Sequence, residues 1–118
     1  MTSHSPRIRL AEMAHARSGD KGNRANVGVV ALDAGGYDWL VRHLTDSAVA
    51  EHFRPMGVGA VRRYELPLLH ALNFVIDDAL AGGASRSLRL DTQGKALAAA
   101  LLEIRLPAPG GTTSETSP

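Results

Sequence analysis

The sequence contains no cysteine. That excludes a disulfide framework, a thiolate nucleophile and a zinc–thiolate centre, and makes a reducing, cytoplasmic setting the expectation. Aromatic residues are scarce: one Trp, two Tyr and two Phe in 118 residues. A core must then be assembled from Leu, Val, Ile and Ala. No apolar run approaches the roughly 18 residues of a membrane span, and no basic-then-apolar leader opens the chain, so neither spanning nor secretion is expected. Charge of one sign is lacking too. Thirteen Lys and Arg against twelve Asp and Glu leave a formal net charge of +1, which offers no global attraction to nucleic acid or to an acidic membrane.

Length and composition place the chain as one domain able to bury a core. Residues 1–6 are polar and expected to fray. Residues 107–118, "PAPGGTTSETSP", are almost all Pro, Gly, Ser and Thr, too polar to offset their ordering entropy, and are expected as a disordered tail. The folded unit is then residues 7–106.

Within it, "RIRLAEMAHA" alternates as a half-buried strand, and "ANVGVVALDAGG" is a β-branched run expected as a more central strand. "YDWLVRHL" has helical spacing, and "TDSAVAEHF" offers Thr45 or Asp46 as an N-cap before a second helix. "AVRRYEL" is a third strand candidate. "LLHALNFVIDDAL", after Pro67, carries Leu69, Leu72, Val75, Ile76 and Leu80, a spacing that predicts a helix ending at Gly82-Gly83. "SRSLRLD" reads as a strand, "TQGKALAAALL" as a helix and "EIRLP" as a last strand. Interleaved helices and strands point to an α+β two-layer sandwich, its sheet mainly antiparallel and its helices on one face.

The chemistry concentrates in "HARSGDKGNRANVG", His15 to Gly28, expected as a wide hairpin loop between the first two strands. Gly19 and Gly22 can adopt positive φ, which lets successive amides converge on an anion. Arg17 offers a planar fork and Lys21 a mobile charge for phosphate or carboxylate, with Ser18 beside them and Asn26 as a neutral donor. Asp20 could orient a cation or act as a base. The alternative is a solvated turn with Asp20 and Asn23 in local Asx-turns. The spacing is neither a P-loop nor a dinucleotide fingerprint.

Three further groups stand between a structural and a functional reading. Asp91 sits at a strand-to-helix junction with Lys95 one turn on, either a simple helix cap or positive potential for the same ligand. In "RRYELP", Tyr64 could lend a hydroxyl and Glu65 a general acid or base, or both could be ordinary strand residues. Asn73, among apolar neighbours, needs a partner or reaches into a pocket. Five histidines (His4, His15, His43, His52 and His70) form no i,i+3 or i,i+4 pair, so no metal site and no cofactor is expected.

Taken together, "ARSGDKGNRANVGV", "RYELP", "ALNFV", "LAGG" and "SLRLDTQGKALAAALLEI" occur in an order that resembles the small domain of the AtuA family, the acyclic terpene utilisation proteins, over nearly all of Ala14 to Ile104. The resemblance implies a ferredoxin-like fold and a link to bacterial degradation of isoprenoid or other branched acyl compounds as CoA thioesters. It also implies a larger AtuA-type subunit as a partner, and it supplies no assigned catalytic residues. Three functions follow as expectations: an anion-binding accessory module, a small hydratase- or isomerase-type enzyme on an acyl-CoA or carboxylate with Asp20 or Glu65 as base, and a structural oligomerisation domain. A small sheet with open edges is expected to form a homo-oligomer, most simply a dimer.

Overall fold

The computed structural model describes residues 6–21, 24–79 and 93–109. Among the described residues six strands and three α-helices follow one another: β1 (Arg7–Arg9), β2 (Ala14–Lys21), β3 (Arg24–Ala31), α1 (Ala34–His43), α2 (Asp46–Phe53), β4 (Val61–Leu66), β5 (Ala71–Ile76), α3 (Gln93–Leu102) and β6 (Arg105–Pro107). Four of the strands form an antiparallel sheet in the order β2-β3-β5-β4. Since β3 and β4 are each antiparallel to β5 between them, they run parallel to one another. The α1–α2 pair thus makes a split βαβ crossover, the unit of ferredoxin-like folds. β2 occupies the position beside β3, and α3 packs beneath it. β6 joins β1 in a separate two-stranded ribbon. The fold is α+β, as the sequence pattern predicts.

One face of the sheet is covered by helices, and strand alternation decides which. Val27 and Val29 of β3 and Leu72, Phe74 and Ile76 of β5 are completely buried against Leu40, Leu44, Val49, Phe53, Leu97 and Leu101. Each such side chain contributes on the order of 1.5–3 kcal/mol through burial. Helix starts are capped by the expected chemistry. Asp33 accepts from the Gly36 amide at 2.7 Å and Thr45 Oγ1 from the Ala48 amide at 3.0 Å. At the far end of α1, Arg63 donates to the Val41 and Leu44 carbonyls, each at 3.0 Å, which satisfies acceptors the helix leaves open. The ribbon ties the ends of the unit together: Pro107, at the expected start of the tail, pairs with Arg7, and its carbonyl accepts the Trp39 indole at 2.8 Å.

Three expectations are corrected. "RIRLAEMAHA" is not one strand: Arg7–Arg9 pair with β6, Leu10–Glu12 form a 3₁₀ turn that buries Leu10, and Ala14 opens β2 in the other sheet. Residues 15–28 are not a wide loop but two long paired strands, and Lys21 pairs directly with Arg24 across only two intervening residues. Charges and glycines are tolerated there because the outer sheet face is open to solvent. The segment after Pro67 is not a helix. Pro67–Leu69 form a single 3₁₀ turn, and Ala71–Ile76 are a strand whose alternate residues, Leu72, Phe74 and Ile76, enter the core. The expected strand in "SRSLRLD" and the Gly82-Gly83 turn lie outside the described residues.

Candidate functional site

The sheet face opposite the helices carries most of the nominated residues. Residues paired across an antiparallel ladder point to the same side, so the register builds this face row by row. Arg17 lies opposite Gly28, Gly28 opposite Asn73, and Asn73 opposite Tyr64. These four form one continuous row across all four strands, about 14 Å from end to end at the usual strand spacing. The next row is Gly19, Asn26, Val75 and Arg62; on the other side lies His15, Val30, Ala71 and Leu66.

Glycine makes the middle of this face shallow. A Cβ at Gly28 would meet only the Arg17 carbonyl and Asn73 Oδ1, each at 3.9 Å, and one at Gly19 would meet nothing within 4 Å. Neither position is forced to be glycine by crowding or by a positive φ. What the two glycines leave is floor space between the Arg17 fork, the Asn73 amide and the Tyr64 hydroxyl. A depression of about 530 Å³ opens at the β2 side of that floor, lined by His15, Ala16, Arg17 and Val30. Arg17 and Asn26 are exposed, Asn73 is half-buried, and Tyr64 is 49% exposed. All are accessible to a ligand.

Charge is distributed unevenly over the face. At one end Arg24 and Arg62 converge on the same carboxylate oxygen of Asp77, at 3.0 and 3.5 Å. Two arginines are thus gathered on one carboxylate at that end. At the opposite end the row of Val30, Ala71 and Leu66 is apolar, and the turn that follows Leu66 carries Leu68 and Leu69.

The nominated residues therefore divide. Arg17, Asn26, Tyr64 and Asn73 share the open face, and Gly19 lies on it next to Arg17. Gly19 is in extended backbone opposite Asn26 and does not form the positive-φ nest expected of it. Ser18 pairs with the buried Val27 and so turns to the helix side; His15 is on the other side, which separates any Ser18–His15 pair. Glu65 is opposite Leu72, on the helix side of β4, where its carboxylate pairs with Arg63 at 2.9 Å. It is not beside Arg17 or Tyr64. The backbone of Asp20 pairs with Ala25, and Lys95 lies in the first turns of α3. Gly22 and Asp91 lie outside the described residues, as do the side chains of Asp20, Lys21 and Lys95.

Gly28, Arg62 and Asp77 belong to this surface but were not singled out by sequence reasoning. Gly28 had a signal: a glycine inside "NVGVV" interrupts a strong strand pattern, which marks a place where something approaches the backbone. Arg62 and Asp77 had none, because their pairing depends on the β4–β5 register. Elsewhere, His43 is half-buried in α1 with its ring 5.8 Å from that of Trp39. Burial pushes its imidazole below the usual histidine range, and the Arg42 charge adds to the effect. Among the described residues, no group of three or more acids and histidines could hold a metal ion, and no helix is long and apolar enough to cross a membrane.

Neither the curated proteins nor the solved structures compared with the chain yield a match. The family comparison does: residues 8–107 match the family described as the AtuA ferredoxin-like domain. That span runs from the first strand of the β1–β6 ribbon to its last paired residue and takes in the whole sheet. The chain belongs to the AtuA ferredoxin-like domain family.

Proposed function

We propose that the chain is an accessory binding module whose open sheet face takes a small anion with an apolar body, a carboxylate or CoA thioester of a branched or isoprenoid acyl chain. The observation that carries this reading is the row Arg17–Gly28–Asn73–Tyr64. A planar cationic fork, a neutral amide and a phenol hydroxyl stand on one line with an uncluttered floor between them. Arg17 suits a carboxylate or phosphate through two parallel hydrogen bonds. The amide and the phenol add further hydrogen-bond donors. Val30 and the depression beside it offer contact to hydrocarbon next to the charged head. Family membership supports the choice of acyl compound and a larger AtuA-type subunit as the partner that carries the chemistry.

A hydratase or isomerase would need an acid or base beside those donors. Of the two bases nominated for it, Glu65 is on the other face and the side chain of Asp20 lies outside the described residues; Asp77 is engaged by two arginines at the far end, and His15, which shares the depression with Arg17, is the group such a reaction would have to use. Binding is the function this arrangement favours.

Isothermal calorimetry with a branched acyl-CoA, CoA itself, the free carboxylate and inorganic phosphate tests the reading. Heat is expected with the acyl-CoA or the carboxylate, and Arg17→Ala should weaken that binding by at least tenfold, since a hydrogen bond to a charged group is worth about 1.5–3 kcal/mol. Absence of heat with all four compounds would refute it.

A further inference from the structure

A second feature of the molecule is independent of the anion row. All six large apolar side chains that stand exposed among the described residues lie on the open face or at its end: Val30, Leu32, Tyr64, Leu66, Leu68 and Leu69. Four of them form a corner. Leu66 ends β4, the Pro67–Leu69 turn follows, and His70 accepts the Ala31 amide at 2.9 Å, which brings the turn beside Leu32. Leu68 is 97% exposed and Leu69 65%.

This corner is rigid. Pro67 opens the turn with a fixed φ, and the His70 amide closes it on the Pro67 carbonyl at 3.1 Å. His70 itself is held in the left-handed region at φ 53°, with its ring 5.9 Å from that of the buried Tyr37. A histidine in that conformation is uncommon and persists only where its surroundings impose it. The outcome is two leucines held out into water on a preorganised turn. Preorganised apolar anchors lose little freedom on association, and exposed apolar patches of this kind mark interaction surfaces.

We infer that this corner seats a second copy of the same chain, related by a two-fold axis passing near Leu66 and Leu69. Three observations select that occupant. An apolar patch is its own complement under a two-fold axis, so leucines meet leucines without any matching partner surface. Arg24 and Arg62 of the face gather at the opposite end of the strands, so this axis keeps the arginines of the two copies apart. Finally, the four corner leucines, Leu32, Leu66, Leu68 and Leu69, expose together on the order of 500 Å², and two copies pressed together there would remove about 1,000 Å², the lower end of specific interfaces, which suits a dimer that dissociates in the micromolar range. The row Arg17–Gly28–Asn73–Tyr64 is left out of that contact, so the proposed site stays open in such a pair.

Light scattering and sedimentation of the full 118-residue chain between about 1 and 100 µM provide the test. The expected mass is twice 12.5 kDa. Leu68→Glu and Leu69→Glu are each expected to give monomers with unchanged circular dichroism, because neither side chain supports the core, and with a melting temperature that, unlike that of the wild type, does not rise with protein concentration. Leu68→Lys should likewise be monomeric alone, and mixing it with Leu68→Glu should restore the pair, since opposite charges would then face each other near the axis. A wild-type monomer throughout the range overturns the inference and leaves the corner to a different partner. Variants that still dimerise overturn it as well, by placing the contact elsewhere.

Discussion

Gly28 separates what the fold needs from what the proposed site needs, and Gly28→Val sets the two against each other. The position is in the middle of β3 and half-buried, with no positive φ, and a Cβ there meets neighbours only at 3.9 Å. Glycine inside a strand is destabilising by roughly 0.5–1 kcal/mol, and valine is among the best strand formers on a scale spanning about 1 kcal/mol. Gly28→Val should therefore stabilise the domain by about 0.5–1 kcal/mol, which corresponds to a rise in Tm of some 2–8 °C for a domain of this size. The added methyl groups stand on the floor between Arg17 and Asn73, where the ligand's head is proposed to sit. Affinity for the acyl-CoA or carboxylate should fall by tenfold or more, at least about 1.4 kcal/mol. Gly28→Ala should lie between wild type and valine in both quantities. Thermal denaturation and calorimetry on the same preparations give the two readouts. A valine variant that binds within twofold of wild type would refute the placement of the site. One that melts well below wild type would show that the glycine is there for the fold.

Two other expectations concern the scaffold. Arg63→Met keeps the aliphatic stem but removes the donors to the Val41 and Leu44 carbonyls at the end of α1; the loss should be about 1.5–3 kcal/mol in urea denaturation, with little of it from the half-exposed Glu65 partner. A loss under about 0.5 kcal/mol would show that water replaces the guanidinium at those carbonyls. Burial, with a smaller contribution from the Arg42 charge, holds the His43 imidazole below the ordinary histidine value of 6.5. Above that value both folded and unfolded chains are neutral and the group contributes nothing. As pH falls through it, the unfolded chain takes up a proton that the folded chain resists, so stability drops. Between pH 7.5 and 5.5 the wild type should lose more Tm than His43→Gln, and parallel curves would dismiss the effect.

Much of this architecture can be read from local pattern. The α2 helix, the Thr45 cap, β4 and β6 stand where period and capping chemistry put them, whereas α1 starts earlier than its apolar spacing, at Ala34 on the Asp33 cap, and takes in Gly35 and Gly36. The failures share a cause. Leu69, Leu72, Val75 and Ile76 have helical spacing, but Leu72, Phe74 and Ile76 also alternate, and a run this short carries both periods at once. What decides is a partner far away in sequence: β3 provides a ladder from Ala25 to Val30 that only an extended strand can complete. β2 was hidden for the opposite reason. Its helix-facing positions include Ala14, Ala16 and Ser18, too small to signal a buried face, while its outward positions are those of a solvated loop.

That same error concealed how the site assembles. Arg17, Asn73 and Tyr64 each attract attention alone, one in an expected loop, one in an expected helix and one in a strand. They come together only when β5 lies between β3 and β4 with a period of two. A slip of one residue in β5 would turn Asn73 inward and push Phe74, fully buried here, out to solvent. Burying Phe74 between Leu72 and Ile76 is therefore what holds Asn73 against Gly28 on one side and Tyr64 on the other. The polar row is the outward image of the core. A change at Phe74 should damage folding and binding together, whereas a change at Asn73 can remove the ligand's amide donor and leave the register untouched.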